Sequence, residues 1–324
     1  MLCRSPGDGP RTRGVPGVKS DPDPAAHPDP GAGRAGLPLS SELAAGIDAH
    51  LTTLRLPLAE RALSDGTFCN LRLFRDAHGY RYQPGPWPYI AGRTYDSAAI
   101  LLPLFDIATA PVDVLRELQG PDAWFFPIAD EVLARMNPTI IEFHAHRNDA
   151  DYLYTASTFL DYHDTGLGSK RRAVARLLAC GKVEVSPIDG DNCDAALAVL
   201  DGWCSDKGRG PTEADAPACR EALSTLVPGG ALYGFLHEAD GMPIGFVLVE
   251  PLNPGVIAVR FAKGRAQFDG IFPYLFQDLV RRLQPAVQWL NFEPDLGNPN
   301  FRRTKLSFRP AALLTKQRVR IRTG

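Results

Sequence analysis

The chain has 324 residues, 44% of them hydrophobic and 22% charged, with a formal net charge of −2, the balance of a globular protein that buries a sizeable core. No apolar run approaches the ~20 residues that a spanning helix needs, and the first residues have no apolar signal-peptide core. The near-neutral charge excludes a global basic field, so an anionic partner must meet a local patch on a protein expected in the cytoplasm.

Residues 1–40 read as a disordered tail, since stretches such as DPDPAAHPDPGAGRAG bury too little apolar surface to offset ordering entropy. Folded sequence begins at Ser40-Ser41-Glu42, a suitable helix start. Aromatic segments at 80–82 and 89–95 lead to an apolar strand at 98–105, helices at 112–118 and 128–136, and a strand at 139–146. A helix at 170–180, N-capped by Ser169, is followed by a strand at 182–186 and helices near 193–204 and 214–226. Three closely spaced strands then read ALYGFLHE, PIGFVLVE and GVIAVRFA. Apolar residues at 272, 275, 276, 279, 280 and 283 mark an amphipathic helix, with Pro273 tolerated in its first turn. The strand WLNF and a final strand pair around 306–322 complete the chain. Hairpins mixed with helices predict an α/β (α+β) fold with mixed, largely antiparallel sheets.

Three groups of residues carry candidate chemistry. If the strand from Val287 continues through Glu293, then Asn291, Glu293 and Asp295 share one face. Two carboxylates there suit holding an ammonium group or accepting a proton from an attacking amine; the competing reading is a turn bridged to Arg302, Arg303 or Lys305. Lys170, Arg171 and Arg172 occupy a first helical turn, where cations oppose the helix dipole unless they meet an anion. The last segment, from Leu296 on, contains no acid, and Lys316, Arg318, Arg320 and Arg322 fall on one strand face. That face reads either as a track for a polyanion or as a guarded edge strand. His144 and His146 share a face with Glu142, but without a fourth ligand no metal site is expected. The six cysteines form no CxxC pair and read as free thiols.

Two of these stretches, DADYLYTASTFLDYHDTGLGSKRRAVARLL and NFEPDLGNPNFRRTKLSFRP, resemble the phosphatidylglycerol lysyltransferase C-terminal-domain-like family, relatives of the GNAT acyltransferases and Fem-type transferases. An earlier segment, GTFCNLRLFRDAHGYRY, is similar to its N-terminal half. The resemblance implies two tandem GNAT-like halves, here 41–165 and 166–324. It carries over Asp151, Glu293 and Asp295 as catalytic positions, and Tyr152, Lys170, Arg171, Arg303 and Lys305 as substrate-binding ones; Asn291, from the shared strand face, joins the substrate-binding candidates. Arg172 departs from the asparagine usual in the family. The membrane half that accompanies lipid-modifying members is absent from this sequence, which favours a small-molecule or peptide acceptor.

The expected activity is aminoacyl transfer from aminoacyl-tRNA to an amine or hydroxyl, without a bound cofactor. The alternatives are an acyl-CoA-dependent N-acyltransferase and a non-catalytic binding protein of the same fold. Where a GNAT holds the CoA pyrophosphate, this chain reads KGRAQFDGIF. It keeps Arg265 and Gly270 but not the usual spacing, which favours tRNA over CoA.

Overall fold

The computed structural model describes residues 36–227 and 229–322; nearly all of the expected N-terminal tail lies outside them. The first strand, β1 (Leu37–Pro38), leads through a 3-10 turn into α1 (Ala44–Arg55), and a second 3-10 stretch precedes α2 (Phe68–Leu73) and α3 (Arg75–His78). Then come β2 (Arg81–Gln83), β3 (Tyr89–Arg93), β4 (Ala99–Pro103), α4 (Val112–Gln119), β5 (Trp124–Ala129), α5 (Asp130–Leu133) and β6 (Ile141–Ala145). The middle of the chain forms β7 (Asp151–Thr155), α6 (Ser157–Asp161), α7 (Gly168–Ala179), β8 (Val183–Pro187), α8 (Cys193–Asp206) and α9 (Ala216–Ser224). Last are β9 (Tyr233–Ala239), β10 (Met242–Asn253), β11 (Val256–Gly264), α10 (Ile271–Leu283), β12 (Trp289–Asn291), α11 (Pro299–Leu306), β13 (Ala312–Leu314) and β14 (Lys316–Ile321).

These strands build two seven-stranded sheets, ordered β1-β2-β3-β4-β5-β14-β6 and β8-β9-β10-β11-β12-β7-β13. Each is antiparallel except for one parallel pair, β4 with β5 and β11 with β12. In both sheets a helix, α4 or α10, lies between the two parallel strands in sequence, as a crossover requires. The mixed, largely antiparallel α/β fold is therefore present, and the two sheets follow one plan. The sixth position of each is filled by a strand from the other half of the chain: β14 enters the first sheet and β7 the second. Sheet membership thus crosses the boundary expected at 165/166.

Residues 244–249 of β10 are all buried because both faces of the strand are covered. Ile244, Val247 and Val249 join the core under α10, while Phe246 and Leu248 pack with α8 and α9. The apolar stripe read on 271–283 is the buried face of α10.

Several local expectations change. Residues 128–136 are the end of β5 followed by the short α5, not one helix. Helix α7 starts from Leu167, so Ser169 is not its cap. The region near 306 contains α11 before the strand pair. β14 lies between β5 and β6, so it is not an edge, and its basic face is turned largely inward. Lys316 and Arg318 are 1% and 2% exposed, so neither can track a polyanion.

Candidate functional site

The ladder between β11 and β12 covers only Val256–Ala258 against Trp289–Asn291. Just past its end, β11 carries a bulge. Leu248 pairs with Phe261 and Val249 with Val259, which leaves Arg260 as the extra residue. A bulge bends its strand and re-aims a side chain. Here it directs a guanidinium, 4% exposed overall, toward the segment between α1 and α2.

All of the Arg260 nitrogens are engaged. Nε donates to Glu250 at 2.7 Å, Nη1 to Glu293 at 2.5 Å and Asn70 at 3.3 Å, and Nη2 to the Ser64 carbonyl at 2.8 Å and Thr67 at 3.0 Å. Thr67 in turn donates to Glu250 at 3.0 Å. Burial opposes the charge on Arg260, but Glu250 and Glu293 more than compensate and hold its pKa above the usual value.

Glu293 is not the middle of a strand face. β12 stops at Asn291, and Glu293 adopts φ 58°, which breaks the alternation that would align Asn291, Glu293 and Asp295. The left-handed conformation of a non-glycine residue must be held by its surroundings. The Asn291 side-chain oxygen accepts from the Glu293 N–H at 2.8 Å. The Lys305 ammonium donates to the carbonyls of Phe292, Glu293 and Pro294 at 2.6, 3.0 and 2.7 Å. All three Lys305 protons are spent on backbone, so it clamps this turn and has none left for a substrate anion. Burial lowers the Lys305 pKa to about 8. Burial also raises the Glu293 carboxyl, against the pull of Arg260. The Glu293 side chain is 19% exposed, and among the described residues its second oxygen has no hydrogen-bond donor.

The other carboxylates are saturated. Asp151, fully buried, accepts from the Ser64 N–H at 2.7 Å, the Ser64 hydroxyl at 2.8 Å and Asn291 at 3.0 Å, and pairs with Lys316 at 2.7 Å. Lys316 also pairs with Asp65. Asp295 takes both arms of Arg302 at 2.8 and 2.9 Å, the Tyr152 hydroxyl at 2.5 Å and the Gly297 N–H at 2.9 Å, with Arg147 at 3.4 Å. Burial works against that charge, but these donors hold the carboxyl down at about 2. With every lone pair of Asp151 and Asp295 engaged, these acids brace the scaffold, and Tyr152 belongs to the same network.

The basic residues are dispersed. Lys170 lies over the Phe308 ring at 4.1 Å, and burial lowers its pKa. Arg171 is exposed beside His163 at 3.3 Å, and Arg303 is exposed on α11. None of these three contacts Glu293 or Arg260. The residues missed from sequence are Arg260, Glu250 and the 64–70 segment. A charged residue inside an otherwise apolar strand, as in VLVE and VIAVRF, was the available signal, because such groups are buried only when paired.

The donors of the loop after β11 already have a partner. Asp206 accepts from the Ala266 N–H at 2.8 Å and from Arg265 at 3.0 Å, so an acid occupies the donors a phosphate would need. Gly270, at φ 90°, begins α10 with its α-carbon against α7: a Cβ there would lie 2.2 Å from the Ala173 carbonyl.

His144 on β6 and His146 just past its end lie with ring centroids 5.1 Å apart. Among the described residues no group of His, Cys, Asp or Glu is placed to hold a metal. No helix among them is long and apolar enough to cross a membrane.

The family described as "Phosphatidylglycerol lysyltransferase, C-terminal" matches residues 57–320. Among solved structures, a conserved protein of unknown function from Bacteroides thetaiotaomicron is similar, with a TM-score of 0.74 and 20% identity over 89% of this chain and 99% of its own. L-PGS from Bacillus licheniformis has a TM-score of 0.58 at 13% identity, covering 90% of this chain and 95% of that one. FemX has a TM-score of 0.56 at 9% identity, covering 86% and 96%. No curated protein sequence matches.

Proposed function

Because this chain belongs to the phosphatidylglycerol lysyltransferase C-terminal family, a family of acyltransferases, we propose that it moves an aminoacyl group from aminoacyl-tRNA to an amine or hydroxyl acceptor. The observation that carries this reading is the Glu293 carboxylate. One of its oxygens is anchored on Arg260, and the other is open at the end of the β11–β12 ladder. An anchored carboxylate with one free oxygen can orient an ammonium group, or take the proton from an attacking amine or hydroxyl. Its raised pKa makes it a better proton acceptor than an exposed glutamate.

Attack by the acceptor on the aminoacyl ester forms the new bond to the carbonyl carbon, and the ester oxygen of the tRNA leaves. The proton lost by the acceptor passes to Glu293 and from there to the leaving oxygen. Besides this proton transfer the chain contributes positioning, which requires that the 292–294 turn not drift. Closure of the loop after β11 by Asp206, and of the start of α10 by α7, favours a donor other than acyl-CoA.

The test is single-turnover transfer from a radiolabelled pool of aminoacyl-tRNAs to small amine and hydroxyl acceptors. Turnover is expected, and Glu293→Gln should lower its rate about 10²–10⁴-fold while leaving the fold intact. Tight CoA binding by calorimetry, together with no tRNA retention at low salt, would replace this reading with acyl-CoA-dependent transfer. Full activity in Glu293→Gln would remove Glu293 from the chemistry.

A further inference from the structure

A second feature lies on the other side of the segment that reaches Arg260. Between the end of α1, the 3-10 stretch after it and strands β4 and β5 is a half-open cavity of about 90 Å³. Its walls are almost entirely apolar, with Leu51, Leu58, Leu63, Leu102, Phe105 and Ile128 among them. An apolar cavity of about 150 Å³ stays dry and takes up the six carbons of benzene; at about 90 Å³ this one has room for roughly three or four carbons of a tail, with its open side free for the remainder of a ligand.

Two charged side chains reach the cavity. Asp106 is already held by both terminal nitrogens of Arg135, at 2.7 and 2.9 Å. Arg55 is different: among the described residues it forms no ion pair. Its partners are the carbonyls of Leu252 and Gly66 and the Thr52 hydroxyl, the last at 3.1 Å. Guanidinium carries five N–H groups, and these contacts use three, leaving one on each terminal nitrogen. Burial lowers the Arg55 pKa, and the more distant carboxylates of Asp48 and Glu250 offset only part of that cost. Half-buried charges are ordinarily paired, and a guanidinium with spare donors on both terminal nitrogens is suited to a carboxylate.

We propose that this cavity binds a small amphipathic monocarboxylate, with its hydrocarbon tail among the leucines and its carboxylate on Arg55. The wall between this site and the reacting centre is the 63–67 stretch. Leu63 and Gly66 face the cavity, while the Ser64 carbonyl and Thr67 hold Arg260. A ligand here therefore bears on the loop that positions Arg260, whatever group the chain transfers; the inference does not depend on the donor.

Calorimetric titration of the full chain at pH 7 with hexanoate, 1-hexanol and hexylamine tests it. Hexanoate should saturate one site, bind about tenfold or more tighter than hexanol, and hexylamine should give no saturable signal. Arg55→Gln should bring hexanoate down to the hexanol level, and Leu58→Trp, which fills the cavity, should abolish binding of both. Equal binding of acid and amine, no saturation by hexanoate up to millimolar concentration, or unchanged binding in Leu58→Trp would each overturn the proposal. Should Arg55→Gln fail to fold, the comparison of acid, alcohol and amine on the unaltered chain still decides.

Discussion

Glu293 and Asp295 are two residues apart and titrate in opposite directions, because their neighbours differ. Glu293 has one strong donor and is raised by burial; Asp295 is fully buried yet surrounded by donors, and is held at about 2. Since Asp295 lies below the ~3.9 of an unfolded aspartate, its contribution to stability is complete above about pH 4 and is lost as pH falls toward 2. Asp295→Asn should therefore destabilise the fold by roughly 1–3 kcal/mol at pH 7, because Arg302 is partly exposed and keeps some hydration. The same variant should flatten the acid limb of the urea midpoint between pH 4 and 2. An unchanged midpoint at pH 7 would show that the Arg302 fork contributes nothing. Lys316 is the harsher case, since its removal strands Asp65 and Asp151 together. Lys316→Met should cost about 3–5 kcal/mol, measured by chemical denaturation.

The turn from Phe292 to Leu296 is held from one side by α11. Lys305 reaches back to three carbonyls, and Arg302 grips Asp295. Lys305→Met should speed amide exchange across this turn and slow transfer by about 10²-fold through misplacement of Glu293, with the melting temperature much less affected. Because the folded Lys305 pKa lies near 8, below the ~10.4 of a free lysine, the unfolded chain binds more protons between those values. This group therefore makes the fold more stable as pH rises through that window, even though a neutral amine has only two protons for three carbonyls. Elements with a strong period were legible from sequence, as α10 and the hairpin strands β9 and β10 demonstrate. What was not legible was the stop of β12 at Asn291. The run WLNFEPD alternates as a strand should, and only the tertiary clamp from α11 and Asn291 imposes φ 58° on Glu293. In the same way, the spacing of Lys316 and Arg318 gives their common face correctly, but not that Asp65, Asp151, Asp96 and Asp149 are placed opposite that face. Those partners come from sequence more than 150 residues away, beyond the reach of any local pattern.

The two sheets share a plan and exchange a strand, so neither half is independent of the other. A chain ended after Leu314 would lose the strand between β5 and β6, leaving the Val319 and Ile321 sites of the first core empty. It should be recovered as aggregate or unfolded material, as judged by gel filtration and amide exchange. The same exchange constrains how the molecule is made. β6 is complete at Ala145, but the strand that must lie between it and β5 begins only at Lys316, roughly 170 residues later. At ~5–20 residues per second of synthesis, the first sheet waits on the order of ten seconds or more with two exposed edges. During that interval another chain's strand can take the place reserved for β14. Domain-swapped dimers formed on crowded polysomes, and a need for chaperone protection scaled to translation speed, are the expected hazards of this topology.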